Sequence, residues 1–501
     1  IGKYEKRIKR FQRRLSKKEK GSNNYYKSRQ KIQRLYQKIG NARKYIIHHI
    51  TKEITDENSI IVTETLRVKN MLLNHNLSKA VSDASLSEIV RQLEYKSKWK
   101  GRKFKTTTFS MYIHRPISKE EATLNSLLSM VIRRSCPGFE DTKSISRYLD
   151  GLYGVMFSTA VRKKGERQLL CVNFQFINDK FLDEDIDIFG KVLDFAENAI
   201  IKQVSFNEEY VNQEKENLKQ QILSVINDKR SYAIKRCNEI MCSDEPCGIP
   251  KLGYVEDLKS IDKNILFDHY KNVILKSPVD IFVNGDVDID AVAKKLESMF
   301  SDIEVEYSID APADVKRQVR EVKRVTEEQP VAQGKLSMGF RTNVYVNDDD
   351  YPAMMMYNSV LGSGIFSKLF NNVREKLSLC YYASSSVNYL KGLMFINSGI
   401  EVENFQKAYD EILVQMDDIK NGNISDMEMS AALLGTVNSI NSMVDNPFIL
   451  DDYFLGRIVA DKMITLEELA ERIKKVTKDD VMRVAEKIQL DTVYFLKGCE
   501  E

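Results

Sequence analysis

The 501-residue chain is 43% hydrophobic and 30% charged, enough apolar content for more than one packed core, which excludes a chain disordered throughout. No apolar run is long enough to span a bilayer, and the N-terminus opens on a basic helix rather than a signal peptide, which predicts a cytoplasmic protein without membrane association. The net charge of +4 hides an asymmetry: residues 1–103 hold 27 Lys+Arg against 9 Asp+Glu, and the remainder 49 against 63, so a module at +18 is joined to one at −14, the pattern of a nucleic-acid-type segment attached to an acidic globular body.

From the N-terminus, Ile8, Phe11 and Leu15 recur at helical spacing among arginines and lysines. Gly21-Ser22-Asn23-Asn24 interrupts them, and Ile32, Leu35, Tyr36 and Ile39 resume the period, predicting a basic helical hairpin with Tyr25, Tyr26, Tyr36 and Tyr45 interleaved. Residues 59–62 (SIIV) read as a short buried strand ending at Thr63-Glu64-Thr65-Leu66. Residues 93–99 (LEYKSKW) read as a short polar-aromatic helix or strand. The character then changes. Residues 106–115 (TTTFSMYIHR) are strand by β-branched and aromatic content, Pro116 stops them, and Ser118-Lys119-Glu120-Glu121 caps a helix through Leu124, Leu127, Leu128, Val131 and Ile132.

A similar order returns at residues 335–341 (KLSMGFR), where a strand is followed by a turn and cap at Asn347-Asp348-Asp349-Asp350 and a Met-rich helix over 351–361. The Ser-Met shared at 110–111 and 337–338 suggests an internal duplication. Each half mixes strands (169–176 and 279–283; 394–400 and 492–496) with amphipathic helices. The expected architecture is α+β: a basic segment at 1–103, one sheet-plus-helix half at 104–305, a charged, proline-containing linker at 306–330, and a second half at 331–501.

The seven cysteines are scattered, odd in number and without a CxxC pair, so they read as reduced and structural. Cys237, Cys242 and Cys247 match no common zinc spacing. Of the five histidines, His48, His49, His75, His114 and His269, no two stand three to five residues apart as a helical metal clamp requires. They read as surface or packing residues, and no cofactor is expected.

Two resemblances add to this reading. The strings KRIKRFQRRLSKKEKGSNNYYKSRQKIQRLYQKIGNARK, IIVTETLRVKNM and LEYKSKWKGRK resemble the middle of a TnpB-type (OrfB) transposon nuclease. In that family a carboxylate after the strand joins two aspartates in a two-metal site, which Glu64 matches. Both partner aspartates are absent and Thr65 stands where that family has Asp, so nuclease activity is not expected and Glu64 is vestigial.

Residues 104–501 resemble the insulinase-like zinc peptidases, which include pitrilysin and the mitochondrial processing peptidases. The markers are EEATLNSLLSMVIRR, YLDGLYG, GDVD at 285–288, and LGSGIFSKLFNNVREKLSLCYY. Within that family the markers resemble those of the non-catalytic member of a bacterial pair associated with 5-aminopentanol modification of elongation factor P. Active members carry His-x-x-Glu-His, two histidines holding zinc and a glutamate taking the proton of bound water. Here Ser126, Ser129 and Met130 occupy those positions. Glu214 matches the first glutamate of the family's downstream pair, and Gln221 stands where the third ligand belongs.

Arg374 and Tyr381 match the family's arginine and tyrosine that reach substrate, and Gly362, Ser363 and Gly364 match its glycine-containing loop, which lacks the Gly-Lys-Ser/Thr ending of a phosphate loop. The resemblance implies a pseudoenzyme that binds a peptide or protein substrate as the accessory subunit of a heterodimer with an active zinc peptidase. Two alternatives stay open: weak, non-specific nucleic-acid binding through residues 1–103, and a transposon-insertion product without a dedicated function, cut at its Ile1 start and deprived of the first strand of its peptidase-like half.

Overall fold

The computed structural model describes residues 2–16, 18, 22–57, 89, 92–93, 106–182, 186–301, 303, 305–306 and 318–498. The chain divides into two compact units, Ile1–Thr106 with Lys180–Asp183, and Thr107–Asp179 with Glu184–Glu501. In the first, α1 (Gly2–Leu15) and α2 (Asn23–Glu57) form the basic hairpin. Ile8 is buried against Ile32 and Leu35, with Phe11 and Leu15 at the margin, and the Gln12 amide donates to Tyr36 Oη at 3.0 Å. Arg7, Lys9, Arg10, Arg13 and Arg14 surround Ile8 and are exposed. The strand expected at 59–62, Glu64, His75 and residues 94–99 lie outside the described residues.

The second unit is α+β. Its first half contains β1 (Thr106–Pro116), α3 (Lys119–Val131), α4 (Thr142–Gly151), β2 (Met156–Lys164), β3 (Arg167–Ile177), α5 (Ile188–Ala196), α6 (Glu208–Ser224), α7 (Lys229–Met241), α8 (Lys263–Ile274), β4 (Val279–Asn284) and α9 (Ile289–Met299). Its second half contains β5 (Lys323–Gln329), β6 (Gly334–Arg341), α10 (Tyr351–Asn358), β7 (Cys380–Asn388), β8 (Leu393–Ile400), α11 (Phe405–Lys420), α12 (Asp426–Asn441), α13 (Pro447–Val459), α14 (Leu466–Lys474), α15 (Lys478–Ala485) and β9 (Gln489–Gly498). The sheets run β2-β3-β1-β4 and β5-β9-β6-β8-β7.

Local chemistry sets many of these boundaries. Ser118 caps α3 by accepting from the Glu121 N–H at 3.1 Å, and reciprocal capping boxes start α4, α12, α14 and α15, each satisfying two otherwise orphaned backbone donors. Two expectations need correcting. Lys323–Gln329, inside the segment read as linker, is β5, because Val325 and its neighbours find a parallel partner in β9. Asp350 stands at the N-cap of α10 without a side-chain cap; its carboxylate is held instead by Arg483 at 2.7 Å and Lys487 at 2.5 Å. The Met-rich α-helix ends at Asn358 and runs on as a π turn, Ser359–Ser363.

Strand register makes the duplication explicit. On β1, Ser110 lies opposite Phe282 and Met111 opposite Ile281 of β4; on β6, Ser337 lies opposite Tyr494 and Met338 opposite Val493 of β9. β1 thus corresponds to β6, and β4 to β9.

The halves are joined by a reciprocal exchange of helices. Ala233, Cys237 and Met241 of α7 pack on the second sheet against Leu393, Phe395, Tyr494 and Leu496. Leu455 of α13 packs on the first sheet against Tyr112, Leu169 and Cys171. Each sheet is therefore covered on one face by a helix from the other half, which keeps its apolar residues from water. Polar ties lie beside these contacts. Asp451 accepts from Asn284 Nδ2 at 2.8 Å, Lys164 pairs with Asp452 at 2.7 Å, and Arg236 pairs with Glu327 at 2.9 Å.

Candidate functional site

The positions matching the zinc motif lie on α3, which packs against α6. Ser126, Ser129 and Met130 are all buried. The Ser126 hydroxyl donates to the Ala122 and Lys251 carbonyls at 2.9 and 3.1 Å, and the Ser129 hydroxyl donates to the Ser126 carbonyl at 2.7 Å. Both hydroxyls are thus tied to backbone. Gln221, near the end of α6, is exposed.

Glu214, 1% exposed, accepts from Arg134 Nη1 at 3.0 Å and Asn217 Nδ2 at 3.1 Å, and the Arg134 guanidinium also lies over the Tyr210 ring. This donor set does not fit a catalytic zinc. Two hydroxyls, a thioether and an exposed neutral amide replace imidazoles and carboxylates, and a guanidinium already neutralises the remaining glutamate. Arg134 was not singled out from the sequence, since its partner lies 80 residues away.

His269, read as a packing residue, is buried beside this helix with Nε2 2.8 Å from Asn125 Oδ1, and Asn125 Nδ2 donates to Gln168 at 2.8 Å. Burial pushes its pKa down to about 4. His114, at the strand end, has Nε2 2.8 Å from Asp280. His48 and His49 are exposed on α2.

The surface positions belong to the second half. Gly362 sits inside the π turn with no room for a side chain: a Cβ there would stand 2.7 Å from the Ser385 backbone nitrogen. The chain then turns outward. Ser363 and Gly364 are exposed, as are the large apolar Ile365 (66%) and Phe366 (48%). With Leu434 and Met443 these residues line a groove of about 490 Å³ beside α12.

At its foot, the buried Lys368 ammonium pairs with Glu428 at 3.1 Å. Arg374 lies in the last turn of the following π-helical segment, Leu369–Lys376, half-exposed, with its guanidinium over the Phe370 ring and Nε 3.5 Å from Glu375. Tyr381, on β7, is 61% exposed and donates to Glu401 at 2.6 Å; that carboxylate pushes its phenol pKa up. Among the described residues no hydrogen bond or ion pair joins Arg374 or Tyr381 to α3 or α6. Sequence reasoning found the loop but not its apolar rim, although Ile365-Phe366 directly after Gly-Ser-Gly is the signal.

A second cluster was read only as structural. Cys242, Glu245 and Cys247 bring their ligand atoms within 4.8 Å of one another, closer than their spacing suggested. Glu245 already serves Arg341 at 2.7 Å, which also holds Asp491 at 2.9 Å.

Among the described residues no helix is long and apolar enough to cross a membrane. Residues 260–435 match the family described as "Peptidase M16 inactive domain", and residues 2–75 match the OrfB family, described as "Probable transposase". The chain is 35% identical over 407 residues to "Probable inactive metalloprotease YmfF" of Bacillus subtilis (strain 168), covering 80% of this chain and 95% of that one. A conserved Enterococcus faecalis V583 protein of known structure superposes with a TM-score of 0.73 at 29% identity, over 79% of this chain and 95% of that one. The N-terminal region is 40% identical over 96 residues, 19% of this chain, to a candidate RNA-guided DNA endonuclease of Streptomyces pristinaespiralis, of which only 24% is spanned. With the zinc motif replaced at each of its positions and an inactive relative matched along almost its whole length, the chain belongs to the M16, insulinase-like peptidase family as a non-catalytic member, preceded by a transposase-like segment.

Proposed function

We propose that the chain is the accessory, substrate-binding subunit of a heterodimer whose other subunit is an active zinc peptidase of the same family. The observation that carries this reading is the combination of exposed recognition groups in the second half with an α3 that cannot hold zinc. An apolar groove rimmed by Ile365 and Phe366 accepts side chains of an extended peptide, while Arg374 and Tyr381 offer a guanidinium and a phenol to its carbonyls. Such donors stabilise charge developing on a carbonyl oxygen during hydrolysis at a metal supplied by the partner. By its resemblance to the non-catalytic member of the elongation factor P pair, we link the complex to that 5-aminopentanol modification.

Co-expression with the active homologue should give a stable one-to-one complex. Arg374→Ala should lower its peptidase rate by roughly 100-fold, the usual effect of losing one such donor, without dissociating it. If the two chains do not associate, or if Arg374→Ala leaves the rate unchanged, the reading fails.

A second reading concerns the first unit alone. Lys27, Arg29, Lys31, Arg34 and Lys38 of α2 are exposed, like the basic residues of α1, which supports weak, sequence-independent binding of a nucleic-acid backbone.

A further inference from the structure

The end of α7 and the loop behind it bring two thiols and a carboxylate to one point. Cys242 caps the helix, and its sulfur, the Cys247 sulfur and a Glu245 carboxylate oxygen all lie within 4.8 Å of one another, in three buried residues. The loop is folded to hold them there. The Glu245 N–H donates to the Cys242 carbonyl at 3.0 Å, and the Gly248 N–H to the Glu245 carbonyl at 2.9 Å. Gly248 passes so close to the Cys242 carbonyl that a Cβ would collide with it, so only glycine lets the chain return Cys247 to Cys242 along this path.

The surroundings aim these groups at one another. Glu245 gives one oxygen to Arg341 at 2.7 Å, while Oε2 faces Cys247 Sγ at 3.7 Å. Arg341 is itself fixed by Asp491 at 2.9 Å, the kind of outer contact that orients a ligating carboxylate. Lys163 donates to the Cys247 and Ile249 carbonyls, both at 2.6 Å. Asn238 Nδ2 donates to the Cys247 carbonyl at 3.0 Å, and Asn238 Oδ1 stands 4.0 Å from Cys242 Sγ.

The hydrogen bond between the two sulfurs pushes the Cys242 thiol up and the Cys247 thiol down, which favours the thiolate at Cys247. A disulfide would make no use of the carboxylate. Two sulfurs and an oxygen converging on one point suit a borderline-soft divalent cation instead. Asn238 and Gly248 also line a cavity of about 260 Å³, which gives an ion a way in.

We propose that Cys242, Cys247 and Glu245 bind one zinc ion, with Asn238 Oδ1 as the fourth ligand. The two thiol protons leave as the ion binds. Closed on all sides by protein ligands, the ion is structural and has no position for a reacting water. It braces the junction of the two halves. The three ligands come from the first half, whereas Arg341 of β6, which also donates to the Met241 carbonyl at 3.1 Å, and Lys323 of β5, which donates to the Ile240 carbonyl at 2.9 Å, come from the second. The inference uses neither the groove at Gly362–Phe366 nor α3, so it stands independently of the accessory-subunit reading.

The test uses the full chain, reduced and stripped of metal by a chelator, with zinc chloride and then cobalt chloride as probes. Competition against a chromophoric chelator should show stoichiometric zinc binding. With zinc in excess Tm should rise by at least about 3 °C, since an ion that binds only the folded state stabilises it. Cobalt should give the intense thiolate-to-metal absorption of a site with two sulfur ligands. Cys247→Ser should weaken zinc binding by more than about 100-fold, beyond the usual cost of losing an outer contact, whereas Cys136→Ser should leave it unchanged. The cobalt spectrum is read on the unaltered chain and decides the matter if Cys247→Ser fails to fold. Failure of the reduced chain to bind zinc, or cobalt bound without the sulfur absorption, overturns the proposal. So does a chain isolated under reducing conditions with Cys242 and Cys247 joined in a disulfide.

Discussion

His269, a packing residue by its sequence context, acts as a structural group in the fold. Its imidazole is buried against Asn125, and burial lowers its pKa to about 4 from an ordinary value near 6.5. In the unfolded chain it takes up a proton as pH falls through about 6.5, while in the fold it resists until about 4. Its contribution is therefore fully present above pH 6.5 and is lost as pH falls through 4, by on the order of 3 kcal/mol in total. Urea unfolding at pH 7 and pH 4 should show this loss, and His269→Gln should remove that share of the pH dependence.

At this scale the sequence was readable wherever chemistry follows a fixed spacing. Ser126, Ser129 and Met130 stand out because two histidines and a glutamate on one helical face leave no freedom of position. Pairings such as Arg134 with Glu214 were not legible, since only folding brings them together.

Among elements, the exchange of α7 and α13 between the sheets joins the halves through apolar contacts. Leu455 is 1% exposed and fills the space between α13 and the first sheet. Leu455→Ala should destabilise the second unit by about 2–5 kcal/mol, the cost of a large-to-small change in a core, and chemical denaturation would measure it. The periodicity of α13 identifies a helix with an apolar stripe, but no local pattern says which sheet that stripe covers. The same gap explains β5. KRVTEEQ reads as linker because its charges dominate, and it becomes a strand only because β9 offers a parallel edge. Elements with strong local signals, such as β1 before Pro116 or α3 behind Ser118, were legible almost to the residue.

Across the whole molecule, charge separates two bodies of different character. The basic hairpin has a core of a few side chains and an exposed cationic surface; the M16 unit carries the net negative charge. Binding to a non-specific duplex DNA should fall steeply between 50 and 200 mM salt, with log K linear in log salt and a slope near −0.9 for each phosphate neutralised. Deleting residues 1–103 should abolish it, and binding that resists salt would point to a specific site instead.

The M16 unit cannot hydrolyse peptides by itself, because α3 offers no zinc ligands. The direct measurement is peptide turnover by the purified full chain with zinc in excess and no partner present. No turnover above buffer is expected; turnover that a chelator abolishes and added zinc restores would mean that the chain is itself a zinc peptidase.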